Sequence, residues 1–505
     1  MPINMKRVVS LALCAILFAQ GAFSQNIPDG FDEYCSKTFE EWQVPGLSVV
    51  VIKDGEVVYL KGFGTTETQG GVPVDPVETR FALASTTKAF TGALLATVID
   101  EYDVKWDDPV QKHLPDFKLY DDWVTKNIMV KEVNTHHSGV RAYSLDELPA
   151  LGYDRDDIYH ILSLVQPAYS FRSRYAYCNS MYSITAKLIE RYTGMSWNDA
   201  LEERLFGPLG MTHSTTGDKD SAFFYSPNIA RGYNVRYKPD GTSEATRRNV
   251  EETYVWMKAV APAAFVLTTA ADIGNWLKMH LAGGEFDGKT VISRKNHKML
   301  FDPQTIVPSD STSIITYGQG WNIEQKRDYR IIRHAGTAGG YTSFVAMVPE
   351  MNLGIALLCN NGTSTDIHKG IVNKLIDMYR GCADGPDWAH NYYQAAIDRL
   401  KPVKKTVSVT TPPQEPLPAL KNSAYVGRYD GGPLGKSEIY EKDGGLWIRL
   451  KAVDLPLKHR SGNKFSFYAE GMEAGNYYLT FNVDRKKAKS FTLELSGSGC
   501  VFVKK

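Results

Sequence analysis

Apolar and polar residues follow two different periods along the first half of the chain. Two β-rich runs within residues 44–64 flank Asp54 and Gly55, a dipeptide that favours a tight hairpin turn. Residues 85–101 are largely apolar and predict a buried helix. From about 105 to 310 the pattern is mostly helical, with long polar loops between the segments. The first half therefore predicts one hairpin followed by a predominantly helical region.

Strand patterns return between residues 317 and 361, and two helical patterns follow near 364–380 and 387–400. A two-stranded hairpin by itself is only marginally stable. We therefore expect the hairpin of residues 44–64 to join the late strands in one antiparallel sheet. The helical region between them then forms a second lobe, with a cleft where the two lobes meet.

The composition changes after residue 400. Residues 401–422 are rich in proline, lysine and threonine and show little periodicity, which is typical of a linker. Residues 423–505 alternate strand-like runs with glycine and aspartate turns. This pattern predicts a small antiparallel β module with a core of its own.

Residues 1–24 have the pattern of a signal peptide. Basic residues precede an apolar stretch, residues 8–19, that is too short to span a bilayer, and Ala22 and Ser24 have the spacing of a cleavage site. The alternative is an uncleaved anchor. No other apolar run is long enough to cross a membrane. We expect an exported protein, periplasmic or secreted, that begins near Gln25 and has no membrane span once the signal is removed.

Charge, cysteine and histidine content narrow the classes of function. The 57 basic and 57 acidic residues balance, which gives no reason to expect a nucleic-acid partner. The cysteines after the signal segment are odd in number and scattered, so neither a disulfide framework nor a zinc site is expected. The 11 histidines form no H-E-x-x-H or H-x-H pattern. We expect no metal ion and no organic cofactor.

Ser85 and Lys88 stand three residues apart in the apolar run FALASTTKAF (81–90). Positions i and i+3 of a helix lie on the same face, so the lysine can reach the serine. A serine hydroxyl is a weak nucleophile until a base takes its proton, and burial can lower the pKa of a lysine enough for that task. A second such spacing, from Ser461 to Lys464, lies in the β module, so the motif alone discriminates weakly. The alternative is a pair of ordinary helix residues.

Two later motifs add polar groups. Tyr177 and Asn179 are separated by one residue just before a predicted helix, a spacing that directs both side chains into the same space. His334 and Gly336 lie on a late, glycine-rich strand, where the glycine lets a substrate approach the backbone closely. Each motif also has a purely structural explanation: a core tyrosine with an N-cap asparagine, and a surface histidine before a turn.

The order and spacing of the three motifs resemble those of the serine β-lactamase and penicillin-binding-protein family, closest to its branch of class C β-lactamases, D-peptidases and esterases. The similarity covers most of residues 30–380 and extends to flanking stretches such as CNSMYSITAKLIERYTGMSW (178–197) and VAMVPEMNLGIALL (345–358). The resemblance implies an α/β (α+β) fold of the β-lactamase/DD-peptidase type, an antiparallel sheet flanked by helices plus an all-helical lobe. Residues 25–400 would be the catalytic domain. Residues 423–505 resemble the small β-barrel module that is often appended to these hydrolases, and no catalytic role follows from that likeness.

The same resemblance implies roles for the first two motifs. Ser85 would be the acylated nucleophile, and Lys88 would accept its proton. Tyr177 would pass the proton to the leaving group and activate the water that releases the acyl group. Asn179 would support Lys88 and the substrate carbonyl.

The third motif and the oxyanion hole follow from the resemblance too. His334 and Gly336 match the motif that contacts substrate, and the backbone N–H groups of Ser85 and Thr337 would form the oxyanion hole. The sequence departs from β-lactamases here, since their third motif is Lys-Thr-Gly and this chain has His-Ala-Gly. The second motif of β-lactamases is Tyr-Ser-Asn, whereas this chain has Tyr-Cys-Asn, with Cys178 in the middle. These departures argue against β-lactam turnover more than against acyl-enzyme chemistry.

The leading hypothesis is an exported serine hydrolase that forms an acyl-enzyme on Ser85. Its expected partner is a small-molecule or peptide substrate: an ester, an amide, a D-amino-acid peptide or a β-lactam. One alternative is an acyltransferase, in which an alcohol or amine replaces water as acceptor. Another is a non-catalytic sensor of peptidoglycan or another ligand, which the presence of all three motifs argues against.

Overall fold

A computed structural model of the chain describes residues 27–217, 226–309, 313–400, 416–471 and 475–505. The predicted signal peptide and most of the predicted linker lie outside these ranges. Up to residue 400 the described chain combines an antiparallel sheet, helices on both of its faces and a largely helical lobe. A second antiparallel sheet follows. The expected α+β architecture is confirmed.

The first part contains short and long strands. In chain order they are β1 (Gly46–Lys53), β2 (Glu56–Gly64), β3 (Phe81–Ala82), β4 (Thr215–Thr216), β5 (Tyr233–Tyr237), β6 (Ser243–Arg247), β7 (Val266–Thr268), β8 (Glu285–Phe286), β9 (Lys289–Thr290), β10 (Thr305–Val307), β11 (Ile314–Tyr317), β12 (Asn322–Gln325), β13 (Arg330–Ala338), β14 (Tyr341–Val348) and β15 (Leu353–Cys359).

Within the described residues, all of the α-helices precede residue 400. In chain order they are α1 (Phe31–Trp42), α2 (Thr87–Glu101), α3 (Val110–His113), α4 (Asp122–Asn127), α5 (Arg155–Ile161), α6 (Tyr182–Thr193), α7 (Trp197–Leu201), α8 (Val250–Ala259), α9 (Ala261–Ala264), α10 (Ala270–Leu281), α11 (Arg294–Met299), α12 (Asp366–Tyr379) and α13 (Trp388–Asp398).

Within the described residues the main sheet has eight antiparallel strands in the order β10-β11-β12-β13-β14-β15-β1-β2. Asp54 and Gly55 close the β1–β2 hairpin with φ of 53° and 84°. Both angles lie in the left-handed region that this turn requires. Strand β1 pairs on its other edge with β15. The predicted union of the early hairpin with the late strands is therefore confirmed.

Strand β1 is covered on both faces. Val50 and Ile52 pack into the core shared with α2 and α10, whereas Val49 and Val51 pack into the core with α1 and α12. All four side chains are fully buried. Burial on both faces explains why this strand reads as a continuous apolar run instead of an alternating one.

Two parts of the sequence prediction differ from the structure. The strand pattern expected from residue 317 onward is interrupted at residues 318–321, which form a turn between β11 and β12. The largely helical region also contains short strands, including the β5–β6 hairpin. Strand β5 has the alternating burial of a half-exposed strand, but five residues are too few for that period to stand out.

The turn between β11 and β12 fixes helix α2 against the sheet. A Cβ at Gly92, in the middle of α2, would lie 2.4 Å from the backbone oxygen of Gln319. A Cβ at Gly320, whose φ is 85°, would lie 2.5 Å from the backbone of Lys88. Two glycines, one on each side, therefore bring the helix and the sheet into direct backbone contact.

The C-terminal module forms a second antiparallel sheet. In chain order its strands are β16 (Gly427–Asp430), β17 (Lys436–Lys442), β18 (Gly445–Leu450), β19 (Val453–Pro456), β20 (Lys458–Ser461), β21 (Lys464–Ala469), β22 (Gly475–Asp484), β23 (Lys487–Leu495) and β24 (Ser498–Lys504).

The nine strands of the described module follow the order β19-β18-β17-β16-β24-β23-β22-β21-β20. The two edge strands, β19 and β20, are separated in sequence by Leu457 alone, so the sheet curls into a nearly closed barrel. Its interior holds a cluster of aromatic rings that includes Tyr425, Phe465 and Phe481. The predicted barrel-like module is confirmed.

The module rests on the helical lobe. The Tyr153 hydroxyl donates to the carbonyl of Leu434 at 2.9 Å, and Lys451 pairs with Asp157 at 2.5 Å. The apolar core of the module is continuous with that of the lobe. Among the described helices, none has the length and apolar character needed to cross a bilayer.

Gly92→Ala should destabilise the protein, although alanine favours a helix by about 1 kcal/mol over glycine. The added methyl would overlap the Gln319 backbone oxygen, which cannot rotate away. We expect a loss of about 1–3 kcal/mol and a fall in Tm of about 2 °C or more in thermal unfolding.

Gly274→Ala, in α10, is the matched control. Its nearest contact would be a side-chain methyl of Val50 at 3.2 Å, which can shift, so its effect should be smaller. A Gly92→Ala protein as stable as the wild type would contradict the proposed backbone contact.

Candidate active site

Ser85 lies in a single 3-10 turn, Ala84–Thr86, between strand β3 and helix α2. Ala84 has a φ of 45°, in the left-handed region that alanine rarely adopts. Such strained positions persist where the surrounding structure holds them, and they cluster at functional sites. The turn presents the half-buried Ser85 side chain at the junction of the sheet and the helical lobe.

Side chains on either side of Ser85 hold this turn against the sheet. The Ser343 hydroxyl, on β14, donates to the Leu83 carbonyl at 2.6 Å, so its oxygen accepts from the Thr86 hydroxyl at 2.8 Å. Both hydroxyl groups are fully buried. A buried chain of hydrogen bonds thus holds the turn that carries Ser85, the candidate nucleophile.

Lys88 is fully buried, and its amine has three oxygen neighbours. Asn179 Oδ1 lies 2.7 Å from Nζ, the Ala263 carbonyl 3.0 Å and Ser85 Oγ 3.2 Å. The amide and carbonyl oxygens can only accept, so they take two N–H groups. In a neutral amine the remaining direction, towards Ser85, holds the lone pair. The geometry therefore aims the basic electron pair at the serine proton.

Burial lowers the pKa of Lys88 from its usual 10.5 to about 7, and the charges of Asp146 and Cys178 oppose this shift. The Nζ atom also lies 4.6 Å from the ring centre of Tyr177 and 5.3 Å from that of Tyr182. Desolvation disfavours the ammonium form more than the rings and the carboxylate support it. A large share of Lys88 is consequently neutral near pH 7, as a general base must be.

Asp146 fixes the orientation of Asn179. The Asn179 amide nitrogen donates to Asp146 Oδ2 at 2.6 Å, so its oxygen must face Lys88. Asp146 is itself buried, and its backbone carbonyl accepts from the Trp256 indole at 3.0 Å. A carboxylate behind the asparagine thus sets which end of the amide meets the lysine.

Tyr177 faces Ser85 and Lys88, and burial raises its pKa well above 10, while a hydrogen bond with Ser85 acts in the opposite direction. The phenol therefore stays protonated near neutral pH. Its backbone carbonyl accepts from the Tyr143 N–H at 2.7 Å, and its ring lies 4.3 Å from that of His136. His136 Nδ1 also accepts from the Cys178 N–H at 3.1 Å, which fixes the loop.

His334 is buried and neutral. Its Nδ1 lies 2.7 Å from the Ala335 carbonyl and must donate to it, so its Nε2 accepts from the Tyr317 hydroxyl at 2.9 Å. Burial and the nearby Lys88 lower the pKa of His334 to about 3. The ring therefore contributes a neutral wall, and both of its nitrogens are engaged within the protein.

Gly336 lets strand β13 touch the turn that carries Ser85. A Cβ at Gly336 would lie 2.0 Å from the Leu83 carbonyl oxygen and 3.0 Å from the Ser85 backbone nitrogen. Strand β12 pairs with β13 only over residues 330–333, so the edge of 334–338 is open on this side. The exposed Thr337 follows on that edge and lines the same cavity as Ser85.

These groups surround a cavity of about 310 Å³. Cys178 does not line the cavity, because it is buried with its sulfur 3.0 Å from Ser180 Oγ. The replacement of the β-lactamase serine by cysteine at this position therefore does not face the cavity. The lining residues are Ser85, Tyr143, Asp146, Tyr177, Asn179, Trp256, Asn322, Arg333, His334, Ala335 and Thr337.

The structure brings the three sequence motifs together at this cavity. Ser85, Tyr177, Asn179 and His334 line it. Lys88 contacts Ser85 and Asn179, and Gly336 packs against the turn that carries Ser85.

The structure also adds groups that the sequence reasoning missed, above all Asp146, Tyr143 and Tyr317. Asp146 and Tyr143 come from a loop without a motif, and Tyr317 precedes a turn, so no local pattern singled them out. The described residues contain no cluster of three or more histidine, cysteine, aspartate or glutamate side chains able to hold a metal ion.

Residues 31–372 match the model of the Beta-lactamase family, and the chain belongs to that family. Residues 411–499 match a second model, a domain of unknown function designated DUF3471. The first match contains all the cavity residues, and the second covers most of the β module.

Curated relatives include hydrolases. The unguisins hydrolase ungD′ of Aspergillus campestris is 27% identical over 419 residues, which cover 79% of this chain and 75% of the relative. Protein flp of Staphylococcus aureus is 25% identical over 331 residues, which cover 65% of this chain and 62% of that protein.

Solved structures share the fold. The octameric penicillin-binding protein homologue from Pyrococcus abyssi superposes with a TM-score of 0.60 at 20% identity and covers 93% of this chain and 99% of its own. SurE superposes with a TM-score of 0.55 at 19% identity, covering 94% and 99%. At these identities the similarity concerns the fold alone.

The pH dependence should follow Lys88. A base works unprotonated, so kcat/KM for acylation should rise with pH and reach half its plateau near pH 7. Asp146→Asn removes a negative charge that stabilises the ammonium, so the acidic limb should move to lower pH. Its plateau should fall by about fivefold to tenfold, because Asn179 loses a charge-assisted hydrogen bond.

Asp272→Asn is the control, since Asp272 is another buried aspartate and bonds Ser214 instead of active-site groups. Its acidic limb should coincide with that of the wild type. An unshifted limb in Asp146→Asn would show that this carboxylate does not influence the base.

Proposed function

We propose that the protein is a serine hydrolase that forms an acyl-enzyme on Ser85, with a small ester, amide or peptide as substrate. The observation that carries the proposal is the buried Lys88, with its pKa near 7 and its amine 3.2 Å from the Ser85 hydroxyl. Membership of the Beta-lactamase family and the hydrolases among the relatives support it.

In the acylation step neutral Lys88 takes the Ser85 proton while Oγ forms a bond to the substrate carbonyl carbon. The electron pair of the carbonyl moves to its oxygen, which the backbone N–H groups of Ser85 and Thr337 would bind. As the tetrahedral centre collapses, the bond to the leaving group breaks. The proton returns from Lys88 through the Tyr177 hydroxyl to the leaving atom.

The pKa values support Lys88 as the base and Tyr177 as the proton relay. Near pH 7 Lys88 has a substantial neutral fraction, whereas Tyr177 is held in its protonated form. A protonated phenol can donate to the leaving group and accept from the lysine at the same moment. In deacylation the same two groups take a proton from water while the water oxygen forms a bond to the acyl carbon. The bond from that carbon to Ser85 Oγ then breaks, and the proton returns to Oγ.

The charge of the cavity supports substrates without a carboxylate. His334 is neutral at pH 7, where a lysine would present a fixed positive charge. Arg333 also lines the cavity, and its guanidinium pairs at 3.0 Å with Glu324, a carboxylate that it shares with Lys326. A carboxylate-bearing β-lactam would therefore meet a neutral histidine and a paired arginine, where the β-lactamase motif has a lysine.

The location of the protein belongs to the proposal. A cationic start, a short apolar core and small residues at cleavage spacing support export to the periplasm or the medium. N-terminal sequencing of the mature protein from a native host tests this: a start near Gln25 supports it, and an intact Met1 contradicts it.

Ser85→Ala should abolish covalent labelling by a fluorophosphonate and reduce ester hydrolysis by at least about 10³-fold, since only the nucleophilic oxygen is lost. The control is Ser461→Ala in the second Ser-x-x-Lys sequence, whose hydroxyl accepts from the Leu417 N–H in the β module. That variant should label like the wild type. Ser85→Ala activity within tenfold of the wild type would overturn the assignment.

Product analysis with added alcohol distinguishes hydrolysis from acyl transfer.

The double substitution His334→Lys, Ala335→Thr should move substrate preference towards carboxylate-bearing β-lactams. A charge-assisted hydrogen bond contributes about 1 kcal/mol more than a neutral one. This difference should raise the ratio of kcat/KM for a penicillin to kcat/KM for an uncharged ester by up to roughly tenfold. Efficient cephalosporin hydrolysis by the wild type, unchanged in the double variant, would show that His334 does not set the preference.

A further inference from the structure

The C-terminal module reaches the wall of the active site through one hairpin turn. Ser496 and Gly497 connect β23 to β24 with φ of 50° and 76°. The Ser496 hydroxyl accepts from the Leu145 N–H at 2.7 Å and donates to the Glu147 carboxylate at 2.6 Å. Arg141 lies on the other side of this turn, because a Cβ at Gly497 would be 3.0 Å from its guanidinium carbon. The turn thus binds both ends of one loop, residues 141–147.

That loop is strained between its two ends. Tyr143 and Leu145 have φ of 59° and 70°, left-handed values at residues that have a full side chain. Such left-handed backbone is costly for residues with a side chain and persists only where neighbouring groups hold it. The hydroxyl of Ser496 holds the Leu145 N–H at the centre of this strained segment.

The residues on either side of Leu145 belong to the active site. Tyr143 lines the cavity, and its N–H binds the carbonyl of Tyr177 at 2.7 Å. Asp146 also lines the cavity and orients Asn179 at 2.6 Å. A shift of this loop would therefore move one wall of the cavity and, at the same time, disturb Tyr177 and Asn179, the two groups next to Lys88.

We propose that Ser496 is a positioning residue for catalysis, through which the C-terminal module sets the place of Tyr143 and Asp146 and with it the selectivity for the acyl group. The inference rests on the proposed hydrolase function. It assigns the module a direct part in the active site, in addition to any part in stability.

The test compares Ser496→Gly with Ser498→Ala. Glycine at 496 removes the hydroxyl and accepts a φ of 50° without strain. Ser498 is the matched control, two residues away on the same hairpin, because its hydroxyl accepts from the Gln166 N–H at 3.2 Å, outside the 141–147 loop. Ser496→Asn restores a donor and an acceptor with a residue that tolerates left-handed backbone.

The probes are p-nitrophenyl phenylacetate and p-nitrophenyl acetate, with the active sites counted by fluorophosphonate labelling. Ser496→Gly should lower kcat/KM per labelled site for the phenylacetate by about fivefold or more, the equivalent of one hydrogen bond. The loss for the acetate should be smaller, since an acetyl group has less surface with which to contact the Tyr143 wall. Ser498→Ala should keep the wild-type ratio of the two values, and Ser496→Asn should recover it in part.

Each result decides the point. Equal ratios in Ser496→Gly, Ser498→Ala and the wild type overturn the positioning role while the hydrolase assignment stands. Equal losses for both esters in Ser496→Gly and Ser498→Ala indicate general destabilisation and also overturn it. A wild type that neither labels nor hydrolyses any ester overturns the proposed function, and this inference with it.

Discussion

The burial of one amine, that of Lys88, is the constraint on which the rest of the site depends. Lowering its pKa from 10.5 to about 7 corresponds to roughly 5 kcal/mol of lost preference for the ammonium form. An unpaired buried charge would be costly, so the protein holds the group near neutrality and gives its hydrogens two acceptors, Asn179 and Ala263. The lone pair of the Lys88 amine is then directed at Ser85. The lowered pKa of Lys88 and the direction of its lone pair thus have the same origin, the packing of helix α2.

The close approach of three backbone segments produces that packing. Gly92 and Gly320 let α2 contact the turn between β11 and β12, and Gly336 lets β13 contact the turn at Ser85. A Cβ at any of the three would overlap a backbone atom. The left-handed Ala84 adds strain that the buried chain from Thr86 to Ser343 offsets. The nucleophile is therefore held by the fold and does not depend on a flexible loop.

The residues that orient the candidate catalytic groups depend on distant parts of the chain. Asp146 orients Asn179 from a strained loop, and that loop is held in turn by Ser496, 350 residues further along. Polar networks of this kind fix a geometry only when every member is bonded. The match of the module to a domain of unknown function names no role for it. The contact at Ser496 shows where such a role can act.

Local sequence determined much of this protein. Periodicity gave the hairpin at Asp54-Gly55, the buried helix after Ser85 and the late strands, because each has a period or turn chemistry that neighbouring residues express. The motif residues Ser85, Lys88, Tyr177, Asn179, His334 and Gly336 were identified through their order. Tertiary structure alone decided the neutral state of Lys88 and His334, the place of Asp146 and the contact with Ser496. Burial and hydrogen bonds between residues far apart in sequence create these features, and no local pattern encodes either.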